Sequence, residues 1–542
     1  MTTYSHPGVY IEELPGPQLI TAASTSNTAF VGRTETGTPA EPVLITSWNA
    51  YQSTFGSFTW GTQTAFAVYA FFAQGGSIAY VMPALAQGEQ SAKVTMGSLI
   101  ISAASAGSWG NELAVQITNS PPTPSASSTT KPIFALNVLY KIPQSGTTLT
   151  LNDQLIAQYA ASNSIAPTTI EGERYYVLES YPGLSARDLT KPAGSSVAAP
   201  IETRINGQSI FVRATVTPGS SASRPDNTET PEELSGGVGD TSSTPLNISD
   251  ALQALDTVQD ISLLVAPETA MIEDVGKQRD VAQQILTYCE NRPVRDLFAV
   301  LDTPYGLNVQ DAEAYKTGGA VGDAEAGVAL HSSYGAIYYP WIEFLNPASS
   351  MNIVVPPSGT MAGSYANADQ QVGPWQVAAG VTYGALNIAT AVTKKITTTD
   401  QDVLNPNGVN AIRPMVNYGI LAYGGRTLTT DPSLVYISVR RTLIEIEVSL
   451  YNGLQWVVFE PNTPKLWGSV TRDVTEFLTD LWQQGALVGT KASDAFWVQC
   501  DESNNPPDVQ RKGQLYVDIG VAPSYPAEFV IIRIQQTTVS AS

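Results

Sequence analysis

Residues 404–462 read LNPNGVNAIRPMVNYGILAYGGRTLTTDPSLVYISVRRTLIEIEVSLYNGLQWVVFEPN, and the changes of period within them decide the fold. Asn405-Pro-Asn-Gly408 is a turn cluster, and residues 418–426 form a short aromatic strand interrupted by Gly424-Gly425. Val435, Ile437 and Val439 alternate at period two, which predicts a half-buried strand. From Arg440 the spacing changes to Leu443, Ile446, Leu450 and Leu454, with Ile444, Val448 and Tyr451 beside them. That is the signature of a helix with a wide buried stripe.

The same change of period recurs upstream. A strand is predicted over 28–33, a helix over 62–72 ending at Gly75-Gly76, and a strand over 78–82. Further on, Ser249-Asp250 caps a helix through 258, 261–265 is a strand, Asp274 caps a helix to Asn291, and 297–301 is a strand ending at Asp302. A helix that long between two strands favours parallel pairing. Residues 336–344 are aromatic and apolar, and the Gly and Pro residues of 355–380 read as turns. Between about 90 and 243, short β-rich runs at 98–102, 113–117, 133–140, 175–179 and 210–215 are separated by Pro/Ser/Thr/Gly clusters, which predicts a β-sandwich-like insertion. The expected fold class is therefore an α/β (α+β) core with a mixed sheet, plus a β-rich inserted domain.

The ends of the chain are strands without a core of their own. Residues 7–13 alternate, but nothing up to Asn27 offers enough apolar surface to fold alone. At the other end, 495–500 and 514–521 are expected to pair as a hairpin, and 528–535 is a last strand set apart by Pro523 and Pro526. Phe529, Ile531 and Arg533 share one face of it, while Val530, Ile532 and Ile534 form a wholly apolar second face that needs burial. Before the hairpin, Val470, Val474, Phe477, Leu478, Leu481 and Trp482 mark an amphipathic helix ending at Gly485. Its other face carries Arg472, Asp473, Glu476, Asp480 and Gln483, and solvation is the default reading of such charges.

Composition narrows the function classes. At 542 residues the chain is expected to form three or more packing units. It has 43% hydrophobic and 14% charged residues, as a globular protein does, and a formal net charge of −21 that repels phosphate backbones. No nucleic-acid contact, membrane insertion or export leader is expected, which places synthesis in the cytoplasm. Cys289 and Cys500 are expected as buried thiols, and with His6 and His331 as the sole histidines no histidine-rich metal site is available. No cofactor is expected. Catalysis would need a nucleophile–base pair or a metal cluster. Asp302 at a strand end is the one tempting carboxylate, but Thr303-Pro304 follows it and a role in the turn is expected. The glycine cluster 234–240 lacks a GK[ST] ending and reads as re-entry into the core.

GVNAIR (408–413), YGGRTL (423–428), YISVRR (436–441) and VFEPN (458–462) resemble the contractile tail sheath family, which comprises the sheaths of contractile phage tails, R-type pyocins and related contractile injection systems. PGVYIEE (7–13), AFVG (29–32) with the Gly75-Gly76 region, SAGSWGN (105–111) and the PPSG, MAG, Tyr365-Ala and Asp369 line are similar to it too. Met82-Pro83 stands where the family carries Arg-Val, and Gly373–Gly380 departs from the family's ending. The resemblance implies a non-enzymatic subunit of a helical sheath of stacked rings, with an inner tail tube, baseplate and tail terminator proteins as partners. Such a subunit is assembled into a virion tail or injection particle. It further implies strand-exchanging terminal arms: Val9, Tyr10 and Ile11 would be donated to one neighbour and Phe529, Ile531, Ile532 and Ile534 to another. Phe496, Val498, Leu515 and Val517 would form the accepting hairpin. Segments 14–27 and 521–526 would then act as hinges, and Arg472, Asp473, Glu476 and Asp480 would face the tube. The implied layout is an arm over 1–27, a discontinuous core of 28–89 and 244–542 whose tail 522–542 is the second arm, and an outward insertion over 90–243. A passive surface lattice shares the low charge and β content but leaves the α/β core and these motifs unexplained.

Overall fold

The computed structural model describes residues 19–36, 41–84, 89–119, 133–219, 225–239, 248–529 and 531. The chain divides into a larger unit, 24–441 with 526–542, and a smaller one, 1–23 with 442–525.

The larger unit is built on an eight-stranded mixed sheet in the order Gly419–Ala422, Val409–Met415, Gly335–Tyr339, Phe298–Asp302, Leu263–Val265, Thr28–Gly32, Ala79–Pro83, Val43–Ile45. The six inner strands run parallel, and the two edge strands are antiparallel to their neighbours. Thr28–Gly32, Phe298–Asp302 and Gly335–Tyr339 are buried at every position, as expected of strands covered on both faces. The strand and helix signals over 28–33, 62–72, 78–82, 249–258, 261–265, 274–291 and 297–301 all correspond to elements, and Asp274 caps the Val275–Asn291 helix as expected.

Two expectations fail. Residues 355–369 are not turns: Ser358–Gln371 is a buried helix. Its glycines serve contact, because a Cβ on Gly359 would lie 2.5 Å from Ala67 Cα and one on Gly363 2.6 Å from the Phe71 carbonyl, so this helix meets the Thr64–Gln74 helix backbone to backbone. The strand expected over 435–439 is the start of the Ile437–Gly453 helix. Residues 437–442 are all buried, so apolar side chains at alternate positions could not distinguish the two periods. Residues 336–344 split at Pro340 into Gly335–Tyr339 and Ile342–Leu345, which belong to different sheets.

The 90–243 segment holds a five-stranded antiparallel sheet and a three-stranded one, together with two helices the composition did not announce, Leu151–Ser162 and Pro200–Gln208. Its ends are fastened together: Asn111 Nδ2 donates to the Gly237 carbonyl at 3.0 Å and Gly237 N–H to Asn111 Oδ1 at 2.9 Å. That gives the 234–240 glycine cluster its role, since a side chain on Gly237 would collide with the Gly107 carbonyl.

In the smaller unit, the Pro464–Gln483 helix buries Leu466, Trp467, Val470, Val474, Phe477, Leu478 and Leu481, and Gly485 follows it at φ +90°. A two-stranded sheet pairs Phe496–Gln499 with Asp518–Val521.

Candidate functional site

The carboxyl edge of the main sheet is where an α/β fold opens a ligand crevice, at the strand from which the order runs both ways. Here that strand is Thr28–Gly32, between Leu263–Val265 and Ala79–Pro83. The space is taken by Glu268, which is fully buried. Its Oε1 accepts from Gln63 N–H at 2.6 Å, Thr64 N–H at 2.9 Å and Thr64 Oγ1 at 3.0 Å. Those donors sit at the start of the Thr64–Gln74 helix, a position that favours an anion. Burial raises the Glu268 carboxyl above its ordinary range, against the pull of Arg33 and the backbone donors. Asp302 plays the same part for the next helix, accepting from Ser358 N–H at 2.8 Å and Ser358 Oγ at 2.5 Å, and burial pushes it up to about 7. Both carboxylates therefore serve as helix caps. Among the described residues, no three His, Cys, Asp or Glu side chains are gathered as a metal site, and no helix is long and apolar enough to cross a membrane. Cys289 and Cys500 are buried free thiols.

The hairpin is present, with register Phe496↔Val521, Trp497↔Gly520, Val498↔Ile519 and Gln499↔Asp518. Phe496 and Val498 lie in the first strand, whereas Leu515 and Val517 fall just before the second. The connection is held by Asn505, which is fully buried. It accepts from Tyr516 N–H at 2.7 Å and donates to the Tyr516 carbonyl at 2.9 Å. Trp497 is 54% exposed. Among the described residues, no third strand pairs with either of the two. Two strands alone are marginal in water. Val9, Tyr10, Ile11, Ile532 and Ile534 lie outside the described residues. Phe529 and Ile531 are 71% and 78% exposed, large apolar side chains without cover.

The segments expected as hinges are tied down where they are described. Arg441 holds Asp369 through Nη1–Oδ1 at 3.0 Å and Nη2–Oδ2 at 2.5 Å, and also donates to the Thr25 carbonyl at 2.8 Å. Thr25 Oγ1 donates to Asp369 Oδ2 at 2.6 Å, and Ser262 Oγ to the Ser24 carbonyl at 2.6 Å. Within the smaller unit, Ala23 N–H donates to Ser449 Oγ at 2.8 Å, and buried Ile20 packs where a Cβ on Gly453 would be. The second segment is similar: Val488 N–H bonds the Ala522 carbonyl at 2.8 Å and Ser524 N–H the Ala486 carbonyl at 3.0 Å. These bonds hold each segment within its own unit, Ser24 and Thr25 in the larger and residues 20–23 and 522–524 in the smaller.

On the Pro464–Gln483 helix, Arg472, Glu476 and Asp480 are exposed, but Asp473 is not: it is 2% exposed and accepts from Arg472 Nε and Nη2 at 3.1 and 3.0 Å. The expectation that Asp473 shares their face is corrected, because position 473 adjoins Val470, Val474 and Phe477 on the buried side.

Comparison with known proteins adds the rest. The phage tail sheath protein central domain matches residues 241–428 and the phage tail sheath C-terminal domain residues 429–537, together more than half of the chain. The tail sheath protein of Vibrio phage KVP40 is 23% identical over 287 residues, covering 52% of this chain and 41% of that one. The tail sheath protein of Enterobacteria phage T4 is 24% identical over 267 residues, covering 48% and 38%. The chain thus spans less than half the length of these relatives. In solved structures, the fold is similar to the sheath of an extracellular contractile injection system, PVC, in its contracted state (TM-score 0.55, 21% identity, 99% of both chains). It is also similar to the contracted helical sheath of the anti-feeding prophage (TM-score 0.55, 22% identity, 99% of this chain and 100% of that one).

Proposed function

Because this chain belongs to the phage tail sheath family, we propose that it is the structural subunit of a contractile sheath, polymerising helically around an inner tube and contracting to drive it through a target envelope. The observation that carries this reading is the sheet of Phe496–Gln499 and Asp518–Val521, two-stranded among the described residues, in a chain whose described end exposes Phe529 and Ile531. Strands donated by neighbours, 9–13 from one and 528–535 from another, complete that sheet. Each added strand contributes several backbone hydrogen bonds, each worth about 0.5–1.5 kcal/mol net, plus buried apolar area.

The wider assignment follows from the same premise. The subunit acts as a mechanical part and not as an enzyme, and contraction releases free energy held in a metastable lattice without nucleotide. The partners are further copies of the chain, the tube protein, and the baseplate and terminator proteins. Arg472, Glu476 and Asp480 are the tube-facing candidates, residues 90–243 the outward insertion, and the particle a virion tail or injection device assembled in the cytoplasm. Electron microscopy of the full-length chain with its tube and baseplate proteins tests this. Sheathed filaments or hollow helical cylinders are expected, and their complete absence would overturn the assignment.

A further inference from the structure

Glu528 sits at the root of the terminal segment in a socket of four donor bonds. Arg426 grips it with Nε–Oε1 at 2.9 Å and Nη2–Oε2 at 2.6 Å, Asn405 Nδ2 donates to Oε1 at 2.6 Å, and Tyr436 OH donates to Oε2 at 3.1 Å. These groups come from the C-cap of the Thr398–Leu404 helix and from both sides of the bridge between residues 426 and 436, where Tyr436 leads directly into the Ile437–Gly453 helix. The socket is itself braced. Arg426 N–H donates to Asn410 Oδ1 at 2.7 Å, and Asn410 Nδ2 returns a bond to the Arg426 carbonyl at 2.8 Å.

We propose that Arg426, Asn405 and Tyr436 are positioning residues that fix the root of the C-terminal arm on the larger unit, so that the chain beyond Glu528 is presented in one direction to a neighbouring subunit. This rests on the sheath reading for its purpose but not for its geometry. A bidentate Arg–carboxylate pair sets direction as well as distance, because two parallel bonds resist rotation. Burial alone would raise the Glu528 carboxyl, yet the bonds from Arg426 and Asn405, the Arg426 charge and Tyr436 together hold it below the usual range, so the clamp is charged at neutral pH. Immediately beyond it, Phe529 and Ile531 are exposed. A strand anchored at its base meets an acceptor with less orientational freedom to lose than a free tail would.

The test places a spin label at Ile531→Cys in the full chain. The two native thiols are buried, and burial pushes the Cys500 thiol up to about 11, so labelling goes to residue 531. Glu528→Ala, Arg426→Ala and the double variant are compared by label mobility in the unassembled chain, and, in unlabelled chains that keep Ile531, by the yield of sedimentable polymer with tube and baseplate proteins. Each single variant is expected to free the label and to lower polymer yield at least about tenfold, the scale of two charge-assisted hydrogen bonds. The double variant should be no worse than either single, because the two residues act through each other. An unchanged label in Glu528→Ala, additive losses in the double, or a freed label with undiminished polymer would each overturn the proposal. If the label responds as expected while the unsubstituted chain forms no polymer under any condition, the anchor is supported and the sheath reading falls.

Discussion

Asn410 is a fully buried amide that does the work of a strand. It donates to the Ile337 carbonyl at 3.1 Å as well as bonding both backbone groups of Arg426. Gly424 is glycine because a Cβ there would lie 2.8 Å from Asn410 Cα. Asn410→Ala leaves buried backbone groups without partners, so a loss of about 2–4 kcal/mol is expected, read as a lower unfolding midpoint. Asp302 yields a prediction with a sign. Burial raises its carboxyl to about 7, so between about pH 4 and pH 7 the folded chain holds a proton that the unfolded chain has released. The stabilisation from that proton is complete below the unfolded value and disappears as pH rises through about 7. Asp302→Asn keeps an acceptor for Ser358 N–H and removes the titration. Relative to the unsubstituted chain, it should therefore gain about 2–3 kcal/mol between pH 5 and pH 8 in denaturant unfolding. A constant difference across that range would show that Asp302 stays ionised. Both residues were visible in the sequence, Asn410 inside a motif and Asp302 at a strand end. Their partners were not, because Arg426 and Ser358 come from elements brought to them only by the fold.

At the scale of elements, legibility followed solvent exposure. The Val275–Asn291 helix declared itself through its Asp274 cap. The Ser358–Gln371 helix is buried along most of its length, so it has no polar face to set a period, and its glycines mimicked turns. Those glycines make the stronger claim: Gly363→Leu should force the helix away from Phe71 and destabilise the larger unit by about 1–3 kcal/mol or more, while Gly468→Leu, on the open side of its helix with nothing within 4 Å, should move the midpoint far less. The Leu151–Ser162 helix was missed although Thr150 and Asp153 form a capping box, a signal obscured by the Ser/Thr-rich composition around it. The hairpin was read correctly as a pair, but not the means of holding it. Asn505→Ala should loosen the return to Tyr516, giving faster amide exchange in 514–521 without unfolding the main sheet.

For the whole molecule the decisive quantity is charge. Every copy carries a formal −21, so bringing copies together accumulates like charge, and the repulsion is long-ranged at low salt. The screening length falls from about 30 Å at 0.01 M to about 10 Å at 0.1 M, which removes repulsion between surfaces while leaving hydrogen bonds and apolar burial nearly untouched. Strand junctions formed by Phe496–Gln499 and Asp518–Val521 would belong to the second kind of contact. A tube contact through the exposed Arg472, Glu476 and Asp480 would rest on attraction between opposite charges, which the same screening weakens. The two interfaces should therefore respond to salt in opposite directions. Raising sodium chloride from 0.02 to 0.3 M at pH 7 is expected to increase the yield of chain–chain polymer, measured by sedimentation, and to decrease the tube retained inside it, measured by gel densitometry of the pellet. Polymer that dissolves as salt rises would mean that charge, and not shared strands, holds the copies together.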